Sequence, residues 1–205
     1  MDERWSQLKE KQPYAVTLLM NSLKKERLSH AYLFEGSKGT GKMAVAVTFA
    51  KTLFCLQLDG LEPCHHCREC RRIASNNHPD VRIFSPENGK SITKEQIESL
   101  QKEFAYRGTE SARRIYIIEH ANRMTHVAAN QLLKVIEEPE GLEIAIFITE
   151  QRQQMLPTIV SRCQTVSFKP LRSSELREKL KENQVSATLA RLAASLTDDY
   201  ETAYQ

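Results

Sequence analysis

The chain has 205 residues, of which 40% are hydrophobic and 27% charged, the make-up of a soluble globular protein with one sizeable core and a small appendage. A net charge of +3 and a pI near 8.6 are too mildly basic to imply nucleic-acid binding by themselves. The charged start Met1-Asp2-Glu3-Arg4-Trp5 argues against a secretory signal, and the longest apolar stretch, 43–58, is interrupted by Lys51 and too short to cross a bilayer. The expectation is a cytoplasmic protein whose five cysteines stay reduced.

In chain order, the amphipathic stretch Trp5 to Leu28 reads as a helix packed on the core. Ala31-Tyr32-Leu33-Phe34 reads as a strand feeding a glycine-rich loop, and Lys42 to about Leu56 as the helix after it. Val81-Arg82-Ile83-Phe84 is a second strand. Thr93-Lys94-Glu95-Gln96 has the form of a capping box and opens a helix to about Phe104. Ile115-Tyr116-Ile117-Ile118 is a third strand. Thr125 caps a helix that runs to Glu137 and stops at Pro139. Ile144 to Thr149 is a fourth strand and Thr165 to Phe168 a fifth. After Pro170 only helical patterns follow, so a boundary falls near 168–172. Strands alternating with helices predict an α/β domain over 1–170, a parallel five-stranded sheet covered by helices, with a small helical unit over 171–205.

The loop Gly36-Ser37-Lys38-Gly39-Thr40-Gly41-Lys42-Met43 has the glycines and lysine of a phosphate-binding loop. Glycines let backbone N–H groups approach phosphate oxygens, and the helix N-terminus adds favourable partial charge. Lys42 would reach the β- and γ-phosphates. The last position should carry the hydroxyl that ligates Mg²⁺; Met43 has none. An ATPase of this kind also needs an acidic pair after a neighbouring strand, one carboxylate for the metal and one to polarise the attacking water. The third strand ends in Glu119-His120, so either register loses one group. Both departures argue against efficient hydrolysis, while ATP or ADP binding stays open.

Cys55, Cys64, Cys67 and Cys70 gather four thiols within 16 residues, with two consecutive CxxC steps. In a reduced compartment this spacing fits tetrahedral Zn²⁺ held by four thiolates, a closed and therefore structural site. His65 and His66 are rival ligands, and redox chemistry or inert thiols are the alternatives. Cys163 stands apart and reads as core.

The phosphate loop, the inserted four-cysteine module, Leu132-Leu133-Lys134 with Glu137-Glu138-Pro139, and Ser161-Arg162-Cys163 together resemble bacterial clamp-loader subunits of the AAA+ class. Leu28 to Phe34 and Asn77-His78-Pro79-Asp80 fit as well, and the likeness covers roughly residues 10–200. Within the family the pattern is most similar to the delta-prime branch, because the gamma/tau motor branch normally keeps an intact loop and an Asp-Glu pair. The resemblance implies an AAA+ domain with a zinc insertion and a partial helical lid. It implies a non-hydrolysing component of the DNA polymerase III holoenzyme, a DNA-directed DNA polymerase. Such a component sits in a hetero-oligomeric ring with gamma/tau and delta subunits and helps load the sliding clamp onto primed DNA. It further implies that Arg162 reaches across a subunit interface to ATP held by a neighbour, and that Thr149 occupies the sensor position. Family members carry a collar domain, which is expected to lie beyond these residues. The rival readings are an ATP-hydrolysing gamma/tau-type motor and a zinc-dependent nucleic-acid-binding module. Against the second, Lys102, Arg113 and Arg114 are too scattered to form a dedicated face.

Overall fold

The computed structural model describes residues 3–86, 90–106, 111–137, 141–170, 180 and 185–196. Five strands, β1 (Ala31–Glu35), β2 (Val81–Phe84), β3 (Arg113–Ile118), β4 (Leu142–Thr149) and β5 (Gln164–Ser167), form one parallel sheet in the order β2-β3-β4-β1-β5. The helices are α1 (Trp5–Lys11), α2 (Pro13–Lys24), α3 (Lys42–Phe54), α4 (Arg68–Ala74), α5 (Lys94–Tyr106), α6 (His126–Glu137), α7 (Pro157–Val160) and α8 (Ala187–Leu196).

The sheet is buried on both faces along the apolar runs of its central strands, Ala31 to Phe34, Ile115 to Ile118 and Ile144 to Ile148, as parallel strands under helices require, while Arg113, Arg114 and Glu35 sit at strand ends. Tyr32 and Phe34 of β1 point into a cluster with Trp5, Leu8, Val16, Leu19, Val45 and Phe49 of α1, α2 and α3. Ala31 and Leu33 point the other way, into a cluster with Ile97 of α5, Leu132 and Ile136 of α6 and Ile159 of α7. The two sets alternate along one strand, the period of two that a pleated backbone dictates. From β1 the chain crosses β4 and β3 to reach β2, whereas β5 lies on the other side of β1. The loop after β1 therefore opens at the place where strand order reverses, the position at which open α/β sheets bind ligands.

Several local expectations shift. Trp5 to Leu28 is two helices rather than one, because Pro13 cannot continue a helix and forces Gln12 out of helical geometry, φ −135° and ψ 65°. The helix after the loop stops at Phe54, since Cys55 is extended and turns the chain into the cysteine module. β1, β3 and β4 are each longer than the apolar runs alone suggest, and β5 starts one residue earlier, at Gln164. One arm of the capping box is seen, the Thr93 N–H donating to Gln96 Oε1 at 2.9 Å, and α5 runs to Tyr106. Thr125 Oγ1 accepts from the Ala128 N–H at 3.2 Å, capping α6. Glu138 and Pro139, and the 171–179, 181–184 and 197–205 stretches of the expected lid, lie outside the described residues. No described helix is long and apolar enough to cross a membrane.

Candidate functional site

The glycine loop leaves β1 at Gly36 and enters α3 at Lys42. Gly36 is required by close approach: a Cβ there would sit 2.5 Å from Phe168 O and 2.9 Å from Phe168 Cβ. Gly39 and Gly41 adopt φ of 75° and 84°, a conformation that favours glycine. Ser37, Lys38 and Gly39 form the exposed tip, whereas Thr40 and Lys42 are buried. The Lys42 ammonium donates to Gly36 O at 2.7 Å, Ser37 O at 2.5 Å and Thr40 Oγ1 at 3.3 Å, so the loop's own cation braces the loop. Thr40 Oγ1 in turn donates to Ser37 O at 2.9 Å. Met43, where a metal-binding hydroxyl would stand, packs against the apolar cluster of α1 to α3.

Gln12 ties this loop to the end of the sheet. Its side chain is 4% exposed; Nε2 donates to Thr40 O at 3.1 Å and Lys169 O at 2.7 Å, and Oε1 accepts from the Lys169 N–H at 3.0 Å. The interrupted helix creates this clasp, because Gln12 occupies the break between α1 and α2. Sequence reading missed it; the Gln-Pro pair between two amphipathic runs was the available signal.

The acidic position is also committed elsewhere. Glu119 Oε2 accepts from Ser85 Oγ at 2.6 Å, a contact toward the end of β2. His120 takes a left-handed conformation, φ 50°, and its Nδ1 stands 3.9 Å from Glu150 Oε1. Thr149 ends β4 opposite Glu35 and its carbonyl accepts from the Gly36 N–H at 3.2 Å, so it does adjoin the loop. Its hydroxyl donates to Asn122 Oδ1 at 3.2 Å and accepts from the Gln151 N–H at 3.1 Å. Glu35, the last residue of β1, accepts from Ser167 Oγ at 2.6 Å and pairs with Arg152 at 3.3 Å.

Ser161, Arg162 and Cys163 follow α7. Arg162 Nη2 lies 2.7 Å from Glu137 Oε1, and Nη1 donates to Thr158 O at 3.1 Å. The arginine side chain is nevertheless 41% exposed, so its charge remains accessible from outside. Cys163 is only partly buried, at the edge of the second cluster rather than inside it, and burial pushes its thiol up to about 12. A shallow cleft beside this segment is lined by Arg152, Met155, Pro157, Val160 and Ser161.

The four cysteines converge. Their sulfurs all lie within 4.8 Å of one another, close to the roughly 3.8 Å edge of a tetrahedron with 2.3 Å metal–sulfur bonds. Backbone N–H groups already point at the sulfurs: Cys64 and Gln57 donate to Cys55 Sγ at 3.3 and 3.4 Å, Cys67 to Cys64 Sγ at 3.3 Å and Cys70 to Cys67 Sγ at 3.5 Å. Such donors stabilise thiolates. Burial works against the Cys67 thiolate, yet N–H donation from Cys70 and Leu56 and contacts with the Cys64 and Cys70 thiols outweigh it and bring the group down to about 6. Burial raises Cys55 and, with Cys67 and Cys55 adding to it, Cys70. These four residues fit a metal ion. His66 is not among them: its Nδ1 meets Cys64 O at 2.7 Å and its Nε2 lies 3.0 Å from Gln57 Oε1, so it supports the cage from outside.

Two acidic residues fasten the module to the domain. Glu62 accepts from the Trp5 and Ser6 N–H groups at 3.0 and 3.2 Å, satisfying the start of α1. Glu69, on α4 between two of the cysteines, is 6% exposed and meets Arg68 at 2.6 Å, Arg72 at 3.3 Å and His78 Nε2 at 3.0 Å. His78 Nδ1 accepts from the Asp80 N–H at 3.0 Å, which makes Nε2 the protonated nitrogen facing Glu69. The ring also lies 4.6 Å from that of Phe54. His78 was visible in the sequence as part of Asn77-His78-Pro79-Asp80, but nothing there paired it with Glu69.

Comparison with known proteins adds an independent line. A family model described as "DNA polymerase III, delta subunit" matches residues 11–172. The chain is 50% identical over 201 residues to DNA polymerase III subunit delta' of Bacillus subtilis, covering 98% of this chain and 60% of that protein. It is 32% identical over 165 residues to DNA polymerase III subunit tau of the same organism, covering 80% of this chain and 29% of that one. The chain thus spans less than two thirds of the length of these relatives, 60% of the first and 29% of the second. Among solved structures, a DNA polymerase III gamma-subunit-related protein from Thermotoga maritima shares the fold, with a TM-score of 0.53 at 22% identity over 87% of this chain and 58% of that one.

Proposed function

Because the chain belongs to the DNA polymerase III delta-prime family of clamp-loader subunits, we propose that it is the AAA+ part of a subunit that helps load the sliding clamp onto primed DNA without hydrolysing ATP itself. It works in the cytoplasm in a ring with gamma/tau and delta subunits. The observation that carries the non-hydrolysing reading is Met43, whose partly buried side chain packs against the edge of the core at the position where a Mg²⁺-binding hydroxyl is needed. The Glu119–Ser85 contact and the absence of a second carboxylate at His120 support it.

The residues facing nucleotide in this reading are the loop from Gly36 to Met43 and Thr149, and the loop serves the fold as much as any ligand, since Lys42 satisfies its carbonyls. The active contribution is made in trans. Arg162 supplies a guanidinium to ATP bound by a neighbouring motor subunit, where a planar fork of donors stabilises charge developing on the γ-phosphate. Its 41% exposure on the surface beside α7 is the feature that suits it to this.

Cys55, Cys64, Cys67 and Cys70 hold a structural Zn²⁺. When bound, the metal contributes folding free energy to the module and supplies no catalysis, because four protein sulfurs leave no open position. Metal analysis of protein purified without chelator should find one zinc per chain; finding none would remove the zinc assignment.

The functional test is reconstitution of the full-length chain with gamma/tau and delta subunits. The chain alone should hydrolyse ATP at background rate. In the assembly, Arg162→Ala should lower DNA-stimulated ATPase and clamp loading by about tenfold, less than the 10³-fold a sole arginine finger can give, because other subunits keep theirs. Arg162→Lys should be nearly as damaging, and Arg71→Ala on the cysteine module should be silent. Strong ATPase from the chain alone would favour the motor reading instead.

A further inference from the structure

We infer that Glu137 is a positioning residue for Arg162: it holds the guanidinium in a standby position against this chain and yields it to the phosphates of a nucleotide on the adjoining subunit. The inference rests on the trans-acting role proposed above and assigns a regulator to it.

Glu137 is the last residue of α6. A carboxylate at a helix C-terminus faces the negative end of the helix dipole, so the helix itself does not favour it there. What offsets this is Arg162, whose Nη2 approaches Glu137 Oε1 to 2.7 Å, at the short end of charge-assisted hydrogen bonds. The second terminal nitrogen is drawn in as well, to the carbonyl of Thr158 at 3.1 Å. In this arrangement the two nitrogens that would grip a phosphate both spend a donor on the chain's own acceptors.

The grip is exchangeable. Arg162 and Glu137 side chains are 41% and 45% exposed, and pairs this exposed shift populations only about 2- to 5-fold. The fold does not depend on it, because Ile159 of α7 already packs with Leu132 and Ile136 of α6 in the second core cluster. A terminal phosphate carries more charge than one carboxylate and accepts both arms of the fork, so it displaces Glu137 where a lone carboxylate or water does not. Once displaced, the Glu137 charge stays nearby and repels the incoming phosphate, which raises the threshold for engagement. Glu137 therefore acts on the neighbour's affinity for nucleotide more than on the chemical step.

The experiment uses the full-length chain assembled with gamma/tau and delta subunits, with ATP as the probe. Glu137→Gln keeps the side-chain shape and removes the charge; Glu137→Ala removes both. Each should lower the apparent KM for ATP of the assembly about 2- to 5-fold, the range expected for releasing an exposed pair, and leave kcat within about twofold. In an Arg162→Ala background neither Glu137 variant should have any effect. If Arg162→Ala lowers ATPase but the Glu137 variants leave KM unchanged or raise it, the standby role is wrong and the trans-acting reading stands. If Glu137→Gln lowers KM equally in the Arg162→Ala background, Glu137 acts by another route and the inference is overturned. If Arg162→Ala itself changes nothing, the underlying reading fails and takes this one with it.

Discussion

The glycine loop and the Arg162 surface carry the two motifs that stand out in this chain, and they are built in opposite ways. In the loop, polar groups close on one another: Lys42 donates to Gly36, Ser37 and Thr40, Gln12 accounts for Thr40 O, and Gly36 is pressed against Phe168. At Arg162 the groups are half exposed and joined by one surface ion pair and one carbonyl contact. A loop bound this tightly into the core serves the fold whatever ligand it meets. An exposed arginine contributes little to the fold, so its charge is free to serve a partner in the proposed reading. Substitutions should then divide cleanly, with stability lost at the loop and activity in trans lost at Arg162.

The largest effect on stability should come from Gly36→Ala. The added methyl meets backbone at 2.5 Å, and neither β1 nor the segment after β5 can give way easily. A loss of about 3 kcal/mol or more is expected, the upper range for overpacking, measured by urea denaturation. A near-neutral result would show that the loop is looser than its contacts imply and would blur the contrast. Lys42→Met should cost about 1–3 kcal/mol, since the Gly36 and Ser37 carbonyls and the Thr40 hydroxyl lose a donor, and should leave the assembly's ATPase unchanged. A large loss of ATPase from Lys42→Met, with the chain still folded, would break the comparison by giving the loop a chemical role.

Smaller effects follow. Arg162→Ala should change the chain's own stability by about 1 kcal/mol or less, as exposed pairs do, while lowering ATPase in the assembly. Met43→Thr should cost about 1–2 kcal/mol for an apolar side chain lost from the edge of the core, and should confer no ATPase because Glu119 and His120 still do not supply the acidic pair. Cys163, with its thiol near 12, should stay protonated at pH 8 and react slowly with iodoacetamide in the folded chain, more slowly than a cysteine of the ordinary range near 8.5. Rapid labelling would mean that the segment carrying Arg162 opens more than its packing shows.

Strands and their order of burial were legible because a parallel sheet under helices makes apolar runs such as 144–149 unmistakable. The cysteine cage was legible because its four ligands lie close together in sequence. Contacts between distant segments were not. The Glu69–His78 pair, the Glu62 contact with the start of α1, and Glu119 turning to Ser85 depend on how elements pack, and no spacing in the sequence links those partners. The split at Pro13 shows the same limit in reverse: apolar spacing across Trp5 to Leu28 hid a break that the fixed proline ring imposes. Glu137 belonged to a recognised segment, yet only the turn after α7 brings Arg162 to it.

The Gln12 clasp has a consequence for how the domain is made. Its partners lie 28 and 157 residues further along the chain, and β5, which closes the free edge of β1, ends at Ser167. Amino-terminal residues emerge from the ribosome first, but here they must wait for almost the last of the domain before their hydrogen bonds can form. Contacts of such long sequence separation are slow to close, and until they do β1 keeps an open edge able to pair with the wrong strand. A nascent chain exposed only as far as residue 163 would carry α1 to α7 and still be unable to complete the sheet, leaving the β1 edge open to mispairing until Lys169 emerges.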